Sequence, residues 1–269
     1  MEDEQLSMDA SEFPQAEAGT EAVEMWRPLE FNTELGYDYL QNSFWKTFFH
    51  YLALYPVLGI LRILNTLAFG LHIHGIKRYK ALKHTGVVGV CNHVHYMDCT
   101  MIALALFRKR MYFMTLEENF RIPVVKQLIR ILGAVPQSNH PHRTKELFNQ
   151  LEQALKKGAA VQIYPERVLR PYYNLGTRKM QRGAFKMAVD AQVPVLPMVI
   201  TYREPKGLYR LFKKKPCMDL WILDPIYPPL GKTPQESVRL LQRQVEKAMN
   251  EELQKHPYSF EKQMKGECA

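Results

Sequence analysis

Apolar positions along the chain alternate between two periods. Val87 to Cys91, Met111 to Thr115, Ala160 to Tyr164 and Val193 to Thr201 are short runs rich in apolar residues, with the length and make-up of buried strands. Between and around them the apolar positions recur every three or four residues, so Thr100 to Phe107, Val124 to Leu132, Thr144 to Lys157 and Arg182 to Ala191 read as helices. The clearest is Thr144 to Lys157, with Leu147, Phe148, Leu151 and Leu155 on one face and Gly158 as its stop. A last helix is predicted from Pro234 to Gln254, with Val238, Leu241, Val245 and Met249 on one side. Strands and helices taking turns predict an α/β fold, a mixed sheet flanked by helices.

Two segments ahead of this alternation break the pattern. From Phe44 to Ile76 the chain reads FWKTFFHYLALYPVLGILRILNTLAFGLHIHGI, with Lys46 and Arg62 the only formal charges. A spanning helix needs about 20 nearly uninterrupted apolar residues, and Pro56, Gly59, Arg62 and Asn65 interrupt the middle of this one. The stretch therefore predicts a helix pair dipping into one leaflet, with Trp45, Tyr51 and Tyr55 at the headgroups. A buried helical hairpin packed on the domain satisfies the same pattern. Residues 1–24 hold eight acidic side chains and no Lys or Arg, a composition that stays solvated for want of apolar area to bury. The expected organisation is an acidic tail over 1–24, an apolar membrane-associating helical segment over 25–76, and an α/β domain over 77–269.

The tail masks the charge of the rest. The whole chain carries 36 Lys and Arg against 27 Asp and Glu, a net +9; without the tail, 19 acidic side chains face the same 36 basic ones, a net +17. Such a body attracts polyanions: nucleic acid, anionic lipid headgroups or phosphorylated substrates. No nucleic-acid-reading motif accompanies the charge, and the apolar segment has no role in a nucleic-acid binder. Cys91, Cys99, Cys217 and Cys268 have no CxxC spacing, which fits a reducing compartment. No basic stretch leading into an apolar run opens the chain, so no cleavable secretory signal is expected.

Candidate chemistry lies just past the strand ending at Cys91, in Asn92, His93, His95 and Asp98. Functional groups of open α/β sheets collect at the carboxyl ends of strands. On a continuous helix His93 and Asp98 would stand roughly 140° apart; a turn at His93 with a helix starting near Tyr96 lets them meet. The Asp98 carboxylate then accepts from one imidazole nitrogen and leaves the other to take a proton from a substrate hydroxyl. Two other uses of the same residues stand beside this one. Asp98 serves as a helix cap and His93 as a turn residue, or His93, His95 and Asp98 offer two imidazoles and a carboxylate to zinc, as in a metal-dependent hydrolase. Zinc fits less well, because the HxHxDH pattern of such enzymes would need the aspartate one residue earlier and His in place of Cys99.

Four blocks in order, spread over residues 92 to 198, resemble those of the glycerolipid acyltransferase family that includes 1-acyl-sn-glycerol-3-phosphate acyltransferases. Asn92, His93 and Asp98 match NHxxxxD, with His95 where Ser is usual; GAVPQSN, Gly133 to Asn139, corresponds to GAIPVDR; YPERVLR, Tyr164 to Arg170, corresponds to FPEGTRS; and Val193 to Met198 corresponds to VPVxPV. The second block ends in Asn139 instead of Arg, and Arg167-Val168-Leu169 stand where Gly-Thr-Arg follows the glutamate. In the family those arginines help hold the substrate phosphate, so Arg167, Arg170 and Arg143 are the expected replacements, each of which could equally be part of a solvated basic face. A longer stretch, PYYNLGTRKMQRGAF, then leads to the helix.

The resemblance implies transfer of a fatty acyl group from acyl-CoA or acyl carrier protein to the free hydroxyl of lysophosphatidate. His93 would be the general base, and Asp98 would orient it. Glu166 would hold the acceptor's glycerol end or position a neighbouring arginine, with Asn92, Arg143, Arg167 and Arg170 on the substrate side. No metal or other cofactor is expected. Partners would be the acyl donor, a lysophospholipid and a membrane surface, with the active site on the cytoplasmic face.

Overall fold

A computed structural model of the chain describes residues 36–40, 43–122, 125–138 and 140–258. The acidic tail expected over 1–24 and the motif residue Asn139 lie outside them. The described residues form one seven-stranded sheet from β1 (His72–His74), β2 (Val87–Cys91), β3 (Met111–Leu116), β4 (Ala134–Gln137), β5 (Ala160–Ile163), β6 (Val195–Arg203) and β7 (Cys217–Ile222), in the order β1-β7-β6-β2-β5-β3-β4. β6, β2, β5, β3 and β4 run parallel; β7 is antiparallel to β6 and carries β1 parallel to itself. The sheet is therefore mixed, as the alternating pattern predicts. It begins at His72, inside the stretch assigned above to the membrane segment.

Helices α1 (Phe44–Phe69), α2 (Ile76–Ala81), α3 (Asp98–Leu106), α4 (Val125–Ile131), α5 (Pro141–Lys156), α6 (Gly183–Ala191), α7 (Tyr209–Phe212) and α8 (Pro234–Lys255) cover both faces. β2 lies in the middle, paired with β5 and β6, and all five of its residues are buried. Its side chains divide by the period of two that a strand imposes. Val88 and Val90 join Leu147, Leu151, Phe185, Leu241 and Val245 on one face, whereas Val87 and Cys91 join Leu58, Leu61, Met101, Ile102 and Leu106 on the other. With both faces covered, β2 reads as a continuous apolar run. α8 starts at a capping box, in which the Thr233 hydroxyl accepts from the Glu236 amide and the Glu236 carboxylate accepts from the Thr233 amide.

The apolar stretch differs from the expected helix pair. It is a single helix with Pro56 inside it, so the buried-hairpin alternative fails as well. Leu54, Leu58, Leu61 and Asn65, spaced four, three and four apart, form one buried stripe. Each buried leucine contributes about 1.5 to 3 kcal/mol, enough to offset the hydrogen bond that a proline removes from a helix. The other faces present Trp45, Phe48, Phe49, Leu52, Tyr55, Ile60, Ile63, Leu64 and Leu67 to the outside. Among the described residues α1 is the helix long and apolar enough to cross a membrane, which makes it a candidate membrane-associating segment.

Gly133 sits between α4 and β4 with φ of 93°, and a Cβ there would lie 2.0 Å from the Met111 carbonyl oxygen. Backbone strain and the clash act together at this position. Gly133→Ala is expected to destabilise the chain by about 1 to 3 kcal/mol, read as a lower denaturation midpoint; an unchanged midpoint would show that β3 and β4 move apart without penalty.

Candidate active site

The chain leaves β2 at Cys91 and makes a tight turn into α3. Within it the His93 Nδ1 lies 2.9 Å from the Asp98 Oδ2. The same oxygen accepts the backbone amides of Val94 at 2.9 Å and His95 at 3.0 Å. Asp98 is 0% exposed; its Oδ2 takes three N–H donors, and its Oδ1 is buried with no hydrogen-bond partner. The turn thus folds around the carboxylate. With Nδ1 donating to Asp98, Nε2 is the imidazole nitrogen left to accept a proton. The ring is stacked on Tyr164, centroids 4.3 Å apart, so both the tautomer and the plane of His93 are set.

Asn92 takes a different part from the substrate contact expected of it. Its amide nitrogen donates to the Ile200 carbonyl at 3.0 Å and its oxygen accepts the Ile200 amide at 2.8 Å. Buried, with both ends used, it ties β6 at Ile200 to the turn that follows β2.

Glu166, just past β5, is likewise buried, and its partner is an arginine that the sequence reading passed over. Arg178 donates Nε and Nη2 to the Glu166 Oε2 at 3.2 and 3.1 Å, and its backbone amide to Oε1 at 3.3 Å. The Gly-Thr-Arg missing after Glu166 is thus present as Gly176-Thr177-Arg178, displaced by residues 167–175. Those inserted residues loop out over the turn, where Arg170 N donates to the His93 carbonyl at 2.9 Å and Tyr172 N to the Val94 carbonyl at 3.1 Å. α8 fixes the far end of the loop, since Asn250 accepts from the Thr177 amide at 2.7 Å. Arg167 and Tyr172 both adopt φ of 61° to make the excursion, the sort of strained backbone that surrounding structure must hold in place.

Residues 71–201 match the family model described as Acyltransferase. Those residues are a domain of acyltransferase type. The fold is shared with a solved structure of the 1-acyl-sn-glycerophosphate (LPA) acyltransferase PlsC from Thermotoga maritima, with a TM-score of 0.57 and 23% identity over 82% of this chain and 86% of that one. No curated protein matches the chain in sequence.

The other arginines of this acyltransferase domain are spread out. Arg170 places its guanidinium 5.5 Å from the Tyr173 ring centroid, and Arg167 is exposed at the start of the inserted loop. Arg143 lies on the first turn of α5, which follows β4, three strands from β2 in the sheet order, or about 14 Å at the usual strand spacing of ~4.8 Å. Arg178 is the arginine that pairs with Glu166.

His95 does not complete a metal site with its neighbours. Its Nδ1 accepts the Met97 amide at 3.1 Å and its ring packs 4.7 Å from Phe69; of the two Asp98 oxygens, Oδ2 is filled by N–H donors and Oδ1 is buried with no hydrogen-bond partner. Among the described residues, three potential ligands come within reach of one another only at His72, His74 and Asp219, at the sheet edge. Burial pushes the His95 imidazole below its usual pKa range, a shift that Asp98 opposes and Lys215 and Lys213 reinforce.

Tyr164 stands where the family pattern has Phe. Its ring supports His93, but its hydroxyl is buried with no protein partner, and burial, then the nearby Asp98, push its pKa far up. A buried unsatisfied hydroxyl costs about 1 to 3 kcal/mol. Tyr164→Phe, which keeps the ring, is therefore expected to raise stability by about 1 kcal/mol at near wild-type turnover. Lower stability in a denaturant titration would mean that the hydroxyl is hydrogen-bonded after all.

Proposed function

We propose that this acyltransferase moves a fatty acyl group from a thioester of coenzyme A or acyl carrier protein to the free hydroxyl of lysophosphatidate, giving phosphatidate. The observation that carries the reading is the 2.9 Å contact between His93 and the buried Asp98, in a domain of acyltransferase type. A hydroxyl is a poor nucleophile at neutral pH, but a thioester is an activated donor, so one positioned base suffices. The His93 Nε2 takes the proton as the acceptor oxygen attacks the thioester carbonyl. The carbon–sulfur bond breaks, and the proton passes from His93 to the departing thiolate, leaving ester and thiol as products. Asp98 stabilises the imidazolium between these steps, as the aspartate of a serine-protease triad does. The steps call on no metal or cofactor beyond the thioester.

Phosphate on the acceptor fits Arg178. Glu166 fixes the guanidinium plane through Nε and Nη2, and Nη2 also donates to the Val168 carbonyl, which leaves Nη1 for the phosphate without freezing a free side chain at the moment of binding. The lipid character of substrate and product accounts for α1. Asn65 of α1 donates to the Thr100 hydroxyl at 3.1 Å, and Thr100 donates to the Met97 carbonyl in the catalytic turn at 2.8 Å. Docked along one stripe, α1 lies in the interface of one leaflet with its exposed apolar faces in lipid, on the cytoplasmic side where the acyl donors are made.

An acceptor panel tests the assignment. Lysophosphatidate, glycerol phosphate and a neutral monoacylglycerol are offered in detergent with each donor type, and ester formation is followed by mass spectrometry. Lysophosphatidate is expected to be acylated fastest; a preference for the neutral acceptor would refute the phosphate-binding role of Arg178 and with it the product named here.

A further inference from the structure

Beside the active site, Lys206 to Lys215 (KGLYRLFKKK) combines features that no catalytic role uses. Leu208, Leu211 and Phe212 are 76%, 82% and 63% exposed, the first just before and the other two within a single helical turn, α7, too short to be stable alone. Lys206, Arg210, Lys213, Lys214 and Lys215 surround them, and no acidic residue falls between Lys206 and Met218. The segment is nevertheless fixed. The Tyr209 hydroxyl donates to the Thr66 carbonyl of α1 at 2.6 Å, and Arg203 donates to the Gly70 carbonyl at the end of α1.

We infer that Lys206–Lys215 is a second membrane-docking element, which inserts Leu208, Leu211 and Phe212 into the bilayer and binds anionic phospholipid headgroups through the surrounding cations. The inference rests on the reading of α1 as a helix lying in one leaflet, and its occupant follows from charge and continuity. Large apolar side chains ringed by Lys and Arg match the boundary between acyl chains and phosphates. The hydrogen bond from Tyr209 to α1 sets the patch at the end of the helix whose exposed apolar faces point outward. Crowding adds to the case: burial, with Lys215 and Arg203 close by, lowers the pKa of Lys213, and a phosphate among these cations relieves their repulsion. Two contacts, one at α1 and one at α7, hold the domain in one orientation where a single helix would let it roll.

Flotation of the full chain with phosphatidylcholine vesicles, with and without phosphatidylglycerol, tests this. Three sets of variants are compared after far-UV circular dichroism confirms their fold: Lys213→Gln with Lys214→Gln and Lys215→Gln; Leu208→Asn with Leu211→Asn and Phe212→Asn; and, on α1, Ile60→Asn with Ile63→Asn and Leu67→Asn. The lysine set is expected to lose about 10²-fold in partitioning onto the anionic vesicles and little on the neutral ones, and the apolar set to lose on both. Wild-type partitioning by both patch sets, alongside a loss in the α1 set, overturns this inference and leaves the reading of α1 standing. Losses in the patch sets with none in the α1 set overturn the reading of α1 and leave the patch as the principal contact. Wild-type protein that floats with neither vesicle overturns both.

Discussion

His93→Ala is expected to lower kcat by about 10² to 10⁴, the usual contribution of a positioned general base, while the chain remains folded. The side chain is a quarter exposed and takes part in one ring stack and one hydrogen bond. Asp98 retains the Val94 and His95 amides when the imidazole is removed, so its buried charge keeps two donors and the turn keeps its shape. Asp98→Asn separates orientation from scaffold. An amide at position 98 still has an oxygen for the two backbone donors but loses the charge that stabilises the imidazolium, so kcat falls while acceptor binding stays. Retained turnover in His93→Ala, measured as thiol release and ester formed in detergent, would remove the base from the mechanism.

The second large effect is expected at Arg178. Arg178→Ala deletes the guanidinium proposed for the phosphate, and a lost charge-assisted contact of about 1.5 to 3 kcal/mol corresponds to roughly 10- to 10²-fold in kcat/KM for lysophosphatidate. It also strands Glu166, whose side chain is 2% exposed, and an uncompensated buried carboxylate costs about 3 kcal/mol or more of stability. The two losses can be parted. Glu166→Gln combined with Arg178→Met removes the charges together, so it recovers stability and leaves activity toward the phosphorylated acceptor low. Arg178→Lys supplies the charge without the planar fork and rescues neither fully. Urea midpoints together with acceptor titrations check both arms; a wild-type KM in Arg178→Ala would mean that the phosphate is held elsewhere.

The legible parts of the fold were those whose pattern has one physical meaning. β2, β5 and β6 are buried on most positions and β3 on its first half, and their short apolar runs predicted them within a few residues. α5 and α8 bury one face each, and their spacing announced it. β1, β4 and β7 were not predicted, for separate reasons. His72–His74 looked like the tail of an apolar segment because its partner, β7, is distant in sequence. Ala134–Gln137 contains Pro136, tolerated because β4 is an edge strand. Cys217–Ile222 carries Asp219 in its middle, a charge that breaks the apolar run of a buried strand, and it pairs with His74 at 2.9 Å and Arg203 at 2.8 Å.

The site shows the same division. His93 and Asp98 were legible because the pair is local and spans a single turn. Arg178 was hidden by residues 167–175, although the tripeptide Gly-Thr-Arg is intact after them; allowing the third block to be split by an insertion would have found it. Asn92 belongs to the motif, but only its pairing with Ile200, far along the chain, reveals that it clamps the scaffold. For α1, composition suggested lipid, whereas continuity through Pro56 depends on packing against α3, which the pattern of one segment cannot contain.

The most direct measurement follows both products of the purified wild-type chain, with lysophosphatidate as acceptor and acyl-CoA or acyl carrier protein as donor. Free thiol and phosphatidate are expected to appear in equal amounts with at least one of the donors. Thiol released with free fatty acid and no phosphatidate would mean that water, and not the lipid hydroxyl, is the nucleophile that His93 serves.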